Sequence, residues 1–384
     1  MSDDTKLDPG AVHAARDSGA FDRAAASAEP MPPAPPDVLP AFMPLGELGP
    51  WLTEAPPPRR WLLRTRPLGH EPPEGVLPLE VVGMLAAQGA GGKTWALTQL
   101  ALCVAVGRPW LDTYEVAEPG NVLLACGEEP EAEVRWRLFH AAEEMGFTPA
   151  EKVTAAERLF PLALSGRQIA LTLAADQAEA QGCADLPETP VAHALRKRLE
   201  GRAWRLIVVD PLSRFAGPDV ELDNAQATRF VQVLETFTRT PGNPTVLFAH
   251  HTGKAARKDS ALGADATAAR GSSGLTDAAR WQANLVPMPK LPEAVYPTSK
   301  PRHLWLTVTK TNRAPEGADL RLVRGRHGVL RPATEVEVRE YDNAAAEDKA
   351  RRKANKKRED AAAQPKGNGA EGSDPTAAKF TFPS

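Results

Sequence analysis

Apolar residues lie in short continuous runs from Trp61 onwards, and several of these runs end in a glycine, an acid or a histidine. A run of this kind is typical of a strand that is buried on both faces. The clearest runs predict strands at Leu79–Ala87, Asn121–Glu129, Trp204–Asp210 and Asn243–His251, with a shorter strand near Leu159–Leu164.

Segments of helical periodicity separate these runs, and they predict helices at Thr94–Gly107, Glu131–Met145, Val191–Gly201 and Asn224–Arg239. Beyond them, Ala278–Pro287 is mostly apolar, Arg302–Lys310 alternates like an exposed strand, and Asp319–Val338 is typical of a hairpin. Strands that alternate with helices favour a mostly parallel sheet with helices on both faces. We therefore predict an α/β fold that ends in antiparallel strands.

The two ends of the chain have a different composition. Residues 1–50 contain nine of the 37 prolines and carry eight acids against three bases, which predicts a disordered segment. Near the other end, Lys349–Arg358 has seven bases in ten residues. We predict an acidic, proline-rich, disordered arm at 1–58, a folded domain at 59–342 that includes a polar insert near Asp176–Pro190, and a basic, flexible tail at 343–384.

Two short apolar stretches interrupt the arm, at Ala41–Leu45 (AFMPL) and at Trp51–Leu52. They could dock on a neighbouring protein, although a plain linker is the simpler interpretation. The basic run in the tail could bind nucleic acid, and a solvated charged helix end explains it equally well.

Charge, cysteines and hydropathy narrow the class of protein. The formal net charge of −3 excludes a uniformly basic, nucleic-acid-coating protein, but not a local basic track. The three cysteines, Cys103, Cys126 and Cys183, are widely spaced and odd in number, which favours buried thiols in a reducing compartment. No apolar run approaches the roughly 18 residues of a membrane helix, and the acidic N-terminus does not resemble a secretory signal. We predict a cytoplasmic protein that does not contact membranes.

A phosphate-binding loop is the sharpest local feature of the sequence. The segment Ala86–Thr94 (AAQGAGGKT) follows a predicted buried strand and opens a predicted helix, the context that such a loop needs. Its glycines let backbone N–H groups wrap a polyphosphate, and the helix N-terminus adds partial positive charge. An alanine stands where the motif prefers its first glycine. The residues that we expect to bind ATP are Ala87, Gly89, Ala90, Gly91, Gly92, Lys93 and Thr94.

Three further strand ends carry groups that ATP hydrolysis needs. Asp210 ends an apolar strand, and with the Thr94 hydroxyl it is expected to hold Mg²⁺, partly through water. Glu128 and Glu129 end another strand, and one of them is the candidate for activating water; we favour Glu128, which leaves the strand first. His250 and His251 end a third strand on opposite faces, and we expect His250 to contact the γ-phosphate.

The order of these motifs resembles that of the RecA-like ATPases, and specifically the hexameric replicative DNA helicases of the plasmid RepA type and their phage relatives. The more specific part of the resemblance is the series HHTGK (His250–Lys254), ARGSSGLTDAARW (Ala269–Trp281) and TKTNR (Thr309–Arg313). It covers roughly Trp61–Glu340. The resemblance implies a RecA-like core and a homo-hexameric ring with ATP sites between subunits.

The resemblance also implies roles for basic residues. An arginine from the neighbouring subunit would stabilise the charge on the γ-phosphate, most plausibly Arg280 and otherwise Arg270, with Lys310 contributing from the same edge. The loop His251–Gly274 would face the central channel. Its bases Lys254, Arg257 and Lys258 would contact the backbone of single-stranded DNA without reading its sequence.

We therefore expect an Mg-ATP-dependent, ring-forming DNA helicase that acts in plasmid or phage replication. The alternative is a RecA-like ATPase that assembles or regulates DNA or protein partners without processive unwinding, with replication partners recruited through the proline-rich arm. A nucleotide kinase is disfavoured because the only arginine-rich cluster lies in the tail.

Overall fold

The computed structural model describes residues 42–67, 72–180, 182, 188–252, 273–313 and 319–363. The chain divides into two compact units, Met1–Pro58 and Arg59–Ser384. In the first unit the described residues contain one short 3₁₀ helix, Leu45–Glu47, with no buried side chain. The disorder predicted for residues 1–41 lies outside the described residues.

The second unit contains twelve described strands and nine described helices. The strands are β1 Trp61–Thr65, β2 Gly75–Pro78, β3 Val82–Ala87, β4 Tyr114–Val116, β5 Asn121–Cys126, β6 Leu159–Ala163, β7 Trp204–Asp210, β8 Thr245–His251, β9 Trp281–Pro287, β10 His303–Thr311, β11 Leu320–Arg324 and β12 Leu330–Pro332. The helices are α1 Lys93–Val106, α2 Glu131–Glu144, α3 Pro149–Arg158, α4 Ala175–Ala180, α5 Pro190–Leu199, α6 Leu212–Phe215, α7 Asn224–Thr238, α8 Ser273–Ala278 and α9 Glu335–Ala363.

A nine-stranded sheet forms the centre of this unit, in the order β12-β11-β10-β9-β3-β8-β7-β5-β6. The six strands from β9 to β6 are parallel, and β10, β11 and β12 extend the sheet in antiparallel fashion. The predicted α/β class, with a mostly parallel sheet and C-terminal antiparallel strands, is confirmed. The alternating strand β10 lies between β9 and β11, and its side chains alternate between buried and half-buried from Leu304 to Thr309.

Apolar layers cover both faces of the sheet. On one face, α1 packs its Leu97 and Leu100 against the sheet together with Leu62 and Leu77 of a small antiparallel sheet, β2-β1-β4. On the other face, α7 contributes its phenylalanines and leucine to a second layer. A parallel sheet needs cover on both sides, and this explains why its strands are apolar throughout.

The last helix differs from the prediction. Helix α9 runs from Glu335 to Ala363, so the boundary expected at 342/343 falls inside it and residues 343–363 are helical rather than a flexible tail. The helix begins with a capping box, in which Thr334 and Glu337 exchange side-chain and backbone hydrogen bonds. Ion pairs four residues apart, such as Arg352 with Asp348, support its later turns.

The cysteine prediction is confirmed where the structure can test it. Cys103 and Cys126 are free and buried, and burial raises the pKa of each thiol to about 12, so both behave as small apolar residues. Cys183 lies outside the described residues. Within the described ranges, no helix is both long enough and apolar enough to cross a membrane.

Candidate functional site

The phosphate-binding loop connects β3 to α1 at the carboxyl edge of the sheet. Gly92 has a φ of 103° and Ala90 a φ of 57°, so the chain makes a tight left-handed turn before α1 begins. A Cβ at Gly91 would lie 2.7 Å from the Gln88 carbonyl oxygen. No side chain caps the amino end of α1. The loop therefore turns too tightly for a side chain at Gly91, and the uncapped amino end of α1 leaves backbone N–H groups for an anion.

Lys93 is held inside this loop. Its Nζ lies 3.4 Å from the Ala87 carbonyl oxygen, 3.5 Å from that of Gln88 and 3.3 Å from Nδ1 of His251. The side chain is buried, and burial lowers the pKa of the ammonium group, while the charges of Asp210 and Glu128 oppose that effect. A polyphosphate in the loop would supply negative charge to this buried cation.

Asp210 ends β7, which is separated from the phosphate-loop strand β3 by β8. Its side chain is only 3% exposed. Burial raises the pKa of its carboxyl to about 6, although a hydrogen bond with the Thr94 side chain opposes the rise. Its Oδ2 is buried and has no hydrogen-bond partner. A hydroxyl beside an unsatisfied carboxylate oxygen is the hard oxygen donor set that Mg²⁺ prefers, so Thr94 and Asp210 fit the predicted metal.

The two glutamates after β5 have different surroundings. Glu129 is mostly buried, with its Oε1 2.7 Å from Nη1 of Arg137, and its charge contributes to the raised pKa of Asp210. Glu128 is exposed, and its charge acts on the ammonium group of Lys93. Both carboxylates therefore lie at the correct sheet edge, and Glu129 alone is fixed by an ion pair to a neighbouring helix.

The histidines lie on opposite faces, as expected, and it is His251 rather than His250 that contacts the phosphate-loop lysine. His251 pairs in register with Ala87 and contacts Lys93. His250 is buried, and its Nδ1 lies 3.9 Å from Glu221 Oε1. The register of β8 against β3 decides this, because it sets which strand face meets the phosphate loop.

Arg324, which the sequence does not single out, also belongs to the site. It ends β11, and its Nη2 donates to the Ala90 carbonyl oxygen at 2.8 Å, across 234 positions of sequence. Burial lowers the pKa of its guanidinium group, and its Nε is buried without a partner. No local sequence signal marks this residue, since only the position of the β11–β12 hairpin brings it to the loop.

A cavity of about 280 Å³ opens beside the same loop. Ala90 and Arg324 form its boundary with the loop, and Tyr296, His303 and Tyr341 supply aromatic walls. The Tyr341 hydroxyl donates to the Pro289 carbonyl oxygen at 2.5 Å, and the Tyr296 hydroxyl lies 3.1 Å from His303 Nε2. The cavity combines flat apolar surfaces with cationic groups.

The predicted inter-subunit residues lie at the opposite end of the sheet. Arg280 is exposed, and its backbone N–H donates to the Val82 carbonyl oxygen, where β3 begins. Lys310 donates to the carbonyl oxygens of Thr276 and Asp277 at 2.6 and 2.9 Å. Because β3 spans about 17 Å at the usual rise per residue, Arg280 lies well away from the phosphate loop of its own chain.

The remaining candidates, Arg270, Lys254, Arg257 and Lys258, lie outside the described residues. The structure therefore brings together Lys93, Thr94, Asp210 and the two glutamates, adds His251 and Arg324, and separates Arg280 and Lys310 from them.

Comparison with known proteins gives two findings. A family model described as "AAA domain" matches residues 41–257, more than half of the chain. Among solved structures, the chain is similar to one titled "Crystal structure of the RadB recombinase", at 18% sequence identity and a TM-score of 0.43 over 68% of this chain and 94% of that chain.

Proposed function

The chain belongs to the AAA domain family, and from this premise we propose that it is a cytoplasmic, Mg-ATP-dependent DNA helicase that forms a ring and acts in plasmid or phage replication. The observation that carries the proposal is the meeting of Lys93, Thr94 and Asp210 at one edge of the sheet, with a buried, unsatisfied carboxylate oxygen beside a phosphate-binding loop. This arrangement supports binding and hydrolysis of a nucleoside triphosphate.

Each group in the site has a defined task in this proposal. The backbone N–H groups of the loop and the Lys93 ammonium bind the phosphates, and Thr94 and Asp210 hold Mg²⁺, which when bound neutralises charge on the phosphate oxygens. One of Glu128 and Glu129 orients the attacking water and accepts its proton. We assign to His251, which contacts Lys93, the role of sensing the loss of the γ-phosphate.

We place the nucleotide base in the cavity beside Arg324. The cavity opens at Ala90 of the phosphate loop and offers Tyr296 and Tyr341 as apolar, aromatic surfaces. A base attached to phosphates in the loop would find a cationic boundary and aromatic walls there.

The position of Arg280 supports a site that is completed by a second subunit. Arg280 and Lys310 lie at the end of the sheet away from the phosphate loop of their own chain. If they contact a γ-phosphate, it must therefore be that of a neighbouring copy. A ring of such copies, here proposed to be a hexamer, would pass single-stranded DNA through its centre.

ATP hydrolysis and strand displacement test this proposal directly. We expect the full chain to hydrolyse ATP with Mg²⁺, to do so faster with single-stranded DNA, and to unwind a forked duplex. Lys93→Ala should lose hydrolysis and unwinding while keeping its circular dichroism spectrum. Hydrolysis that ignores DNA, without any unwinding, would refute the helicase and leave the ATPase.

The second candidate is an ATP-switched regulator that assembles DNA or protein partners without processive unwinding. The acidic, proline-rich composition of residues 1–58 favours it, because proline-rich segments are recognised by partner proteins. In this case nucleotide binding would change partner affinity, and Lys93→Ala would abolish the change although no duplex is unwound by the wild type.

A further inference from the structure

Helix α9 is fixed to the core along its first half. There Tyr341 and Ala344 are buried, and Arg321 of β11 pairs with Asp342 at 2.8 Å. From residue 349 to residue 360, in contrast, every side chain is exposed. We call these residues the exposed half of α9. The helix rises 1.5 Å per residue, so the exposed half extends about 18 Å beyond the packed half.

Five bases share one side of the exposed half. They follow the spacing i, i+3, i+4, i+7 and i+8, which places side chains on the same side of a helix. These bases, which we call the basic face, are Lys349, Arg352, Lys353, Lys356 and Lys357. Arg352 pairs with Asp348, and none of the four lysines makes an ion pair with another described residue. The basic face is therefore positive charge that the rest of the described chain leaves largely unneutralised.

The composition of the exposed half indicates a polyanion as its ligand. Alanine is the only apolar residue type between residues 349 and 360. The centre of a protein–protein interface is rich in apolar and aromatic side chains, and a helix that lies on a membrane needs a large apolar face. The exposed half offers neither, so its ligand must be held by charge.

Among polyanions, duplex DNA matches the density of these charges. The basic face is about 12 Å long, and a duplex carries one negative charge per about 1.7 Å of its axis. About seven phosphates would therefore lie along the five bases, whereas one strand alone carries half that density. The diameter of an α-helix also matches the width of the major groove, since both are about 12 Å.

We propose that the exposed half of α9 binds the phosphate backbone of duplex DNA through the basic face, without reading the base sequence. This site differs from the loop His251–Gly274, whose expected ligand is single-stranded DNA, and it needs neither nucleotide nor hydrolysis. Each lysine contacts a phosphate as a point charge, and each contact releases counterions from the DNA. Binding must therefore weaken steeply as salt is added.

Two double variants of the full chain with the same net charge test the basic face. The face variant carries Lys353→Gln and Lys357→Gln. The matched control carries Arg351→Gln and Arg358→Gln, which remove two bases from the opposite side of the same helix. Glutamine has a helix propensity close to that of lysine and arginine, and circular dichroism checks that the helix is kept.

Fluorescence anisotropy of a short labelled duplex, without nucleotide and from about 50 to 200 mM NaCl, measures the affinity and its salt dependence. Each phosphate contact contributes about 0.9 to the slope of log K against log salt concentration. The face variant should therefore lose about 1.8 of the slope and bind about 60-fold more weakly near 0.1 M salt. The control should bind within about threefold of the wild type, because its arginines point away from the DNA.

A single strand of the same length is the second probe. Its lower charge density leaves roughly one of the two substituted lysines in contact, so the face variant should lose only about fivefold in affinity for it. Duplexes of unrelated sequence should all show the same loss as the first duplex.

Four results would overturn the inference: a wild type that does not bind the duplex, a face variant that binds it as the wild type does, equal losses in the face variant and the control, or a larger loss with the single strand than with the duplex. A chain that binds duplex DNA in the expected way but never unwinds it would instead contradict the proposed function and leave this inference intact.

Discussion

Replacing Asp210 by asparagine tests the electrostatic account of the site. Burial raises the pKa of this carboxyl from its ordinary 3.8 to about 6, and a rise of about two pH units corresponds to about 3 kcal/mol. The folded protein without Mg²⁺ therefore favours the neutral carboxyl. Above pH 6 the buried carboxylate reduces stability by about 3 kcal/mol relative to a neutral side chain of the same shape. Asparagine is such a side chain.

The sign of the pH dependence follows from the direction of the shift. As the pH falls from about 6 to about 4, folded Asp210 takes up a proton before the unfolded chain does, so the wild type gains stability from this group. The gain is complete below 3.8. We therefore expect the asparagine variant to be more stable than the wild type by up to about 3 kcal/mol at pH 8, and the difference to disappear near pH 4.

Urea unfolding of both proteins in EDTA, from pH 4 to pH 8, measures this difference. Titrating groups that do not interact with Asp210 cancel because both chains contain them, whereas Lys93, Glu129 and Arg137 interact with its charge. Glu128→Gln is the control for losing an exposed carboxylate at the same sheet edge, and we expect it to change the free energy of unfolding by less than about 0.5 kcal/mol. Adding Mg-ATP should stabilise the wild type more than the variant, because a carboxylate holds the metal more strongly than an amide oxygen does while the phosphate loop is the same in both. A variant less stable than the wild type at pH 8 in EDTA would refute the reasoning.

Three other expectations follow from the same structure. We assign activation of water to Glu129 in place of Glu128, because Glu129 is the one fixed by an ion pair. Glu129→Gln should therefore lower kcat by about 10²-fold or more and Glu128→Gln by much less; equal losses in a steady-state ATPase assay would contradict this assignment. Gly91→Ala should weaken ATP binding at least tenfold in a fluorescence titration, since its Cβ would meet a carbonyl oxygen at 2.7 Å; unchanged affinity would show that the loop can relax. The pKa of Glu337 is lowered to about 2, chiefly by its hydrogen bond with Arg331, so Glu337→Gln should cost about 1 kcal/mol at pH 7, and that cost should vanish as the pH falls through 2, as thermal unfolding would show.

The parts of the site that follow from neighbouring residues were predictable. The loop that contains Lys93 can be recognised from nine consecutive residues, and Asp210 can be recognised as the acid that ends a single apolar strand. The two histidines show the limit of prediction from neighbouring residues. Alternation along a strand separates His250 from His251, but only the register between β8 and β3 decides which one meets Lys93.

Contacts between distant segments were not predictable. Arg324 reaches Ala90 across 234 positions, and nothing near either residue indicates the other. The small sheet of β1, β2 and β4 and the capping-box helix α3 were likewise missed. In β1 and β4 the strands are short and only partly apolar, so their pairing depends on long-range contacts rather than on local pattern.

The separation of Arg280 from the phosphate loop of its own chain has a genetic consequence. In a ring, each copy would give its loop to one site and its arginine to another, so a copy with a defective loop and a copy with a defective arginine would damage different neighbours. Either defect would then act dominantly when both alleles are expressed, because a few altered copies would interrupt most rings. When copies with a defective loop alternate with copies with a defective arginine, every second junction keeps both of its wild-type halves. Joined in one polypeptide, however, the two defects would leave no junction intact when altered and normal copies alternate.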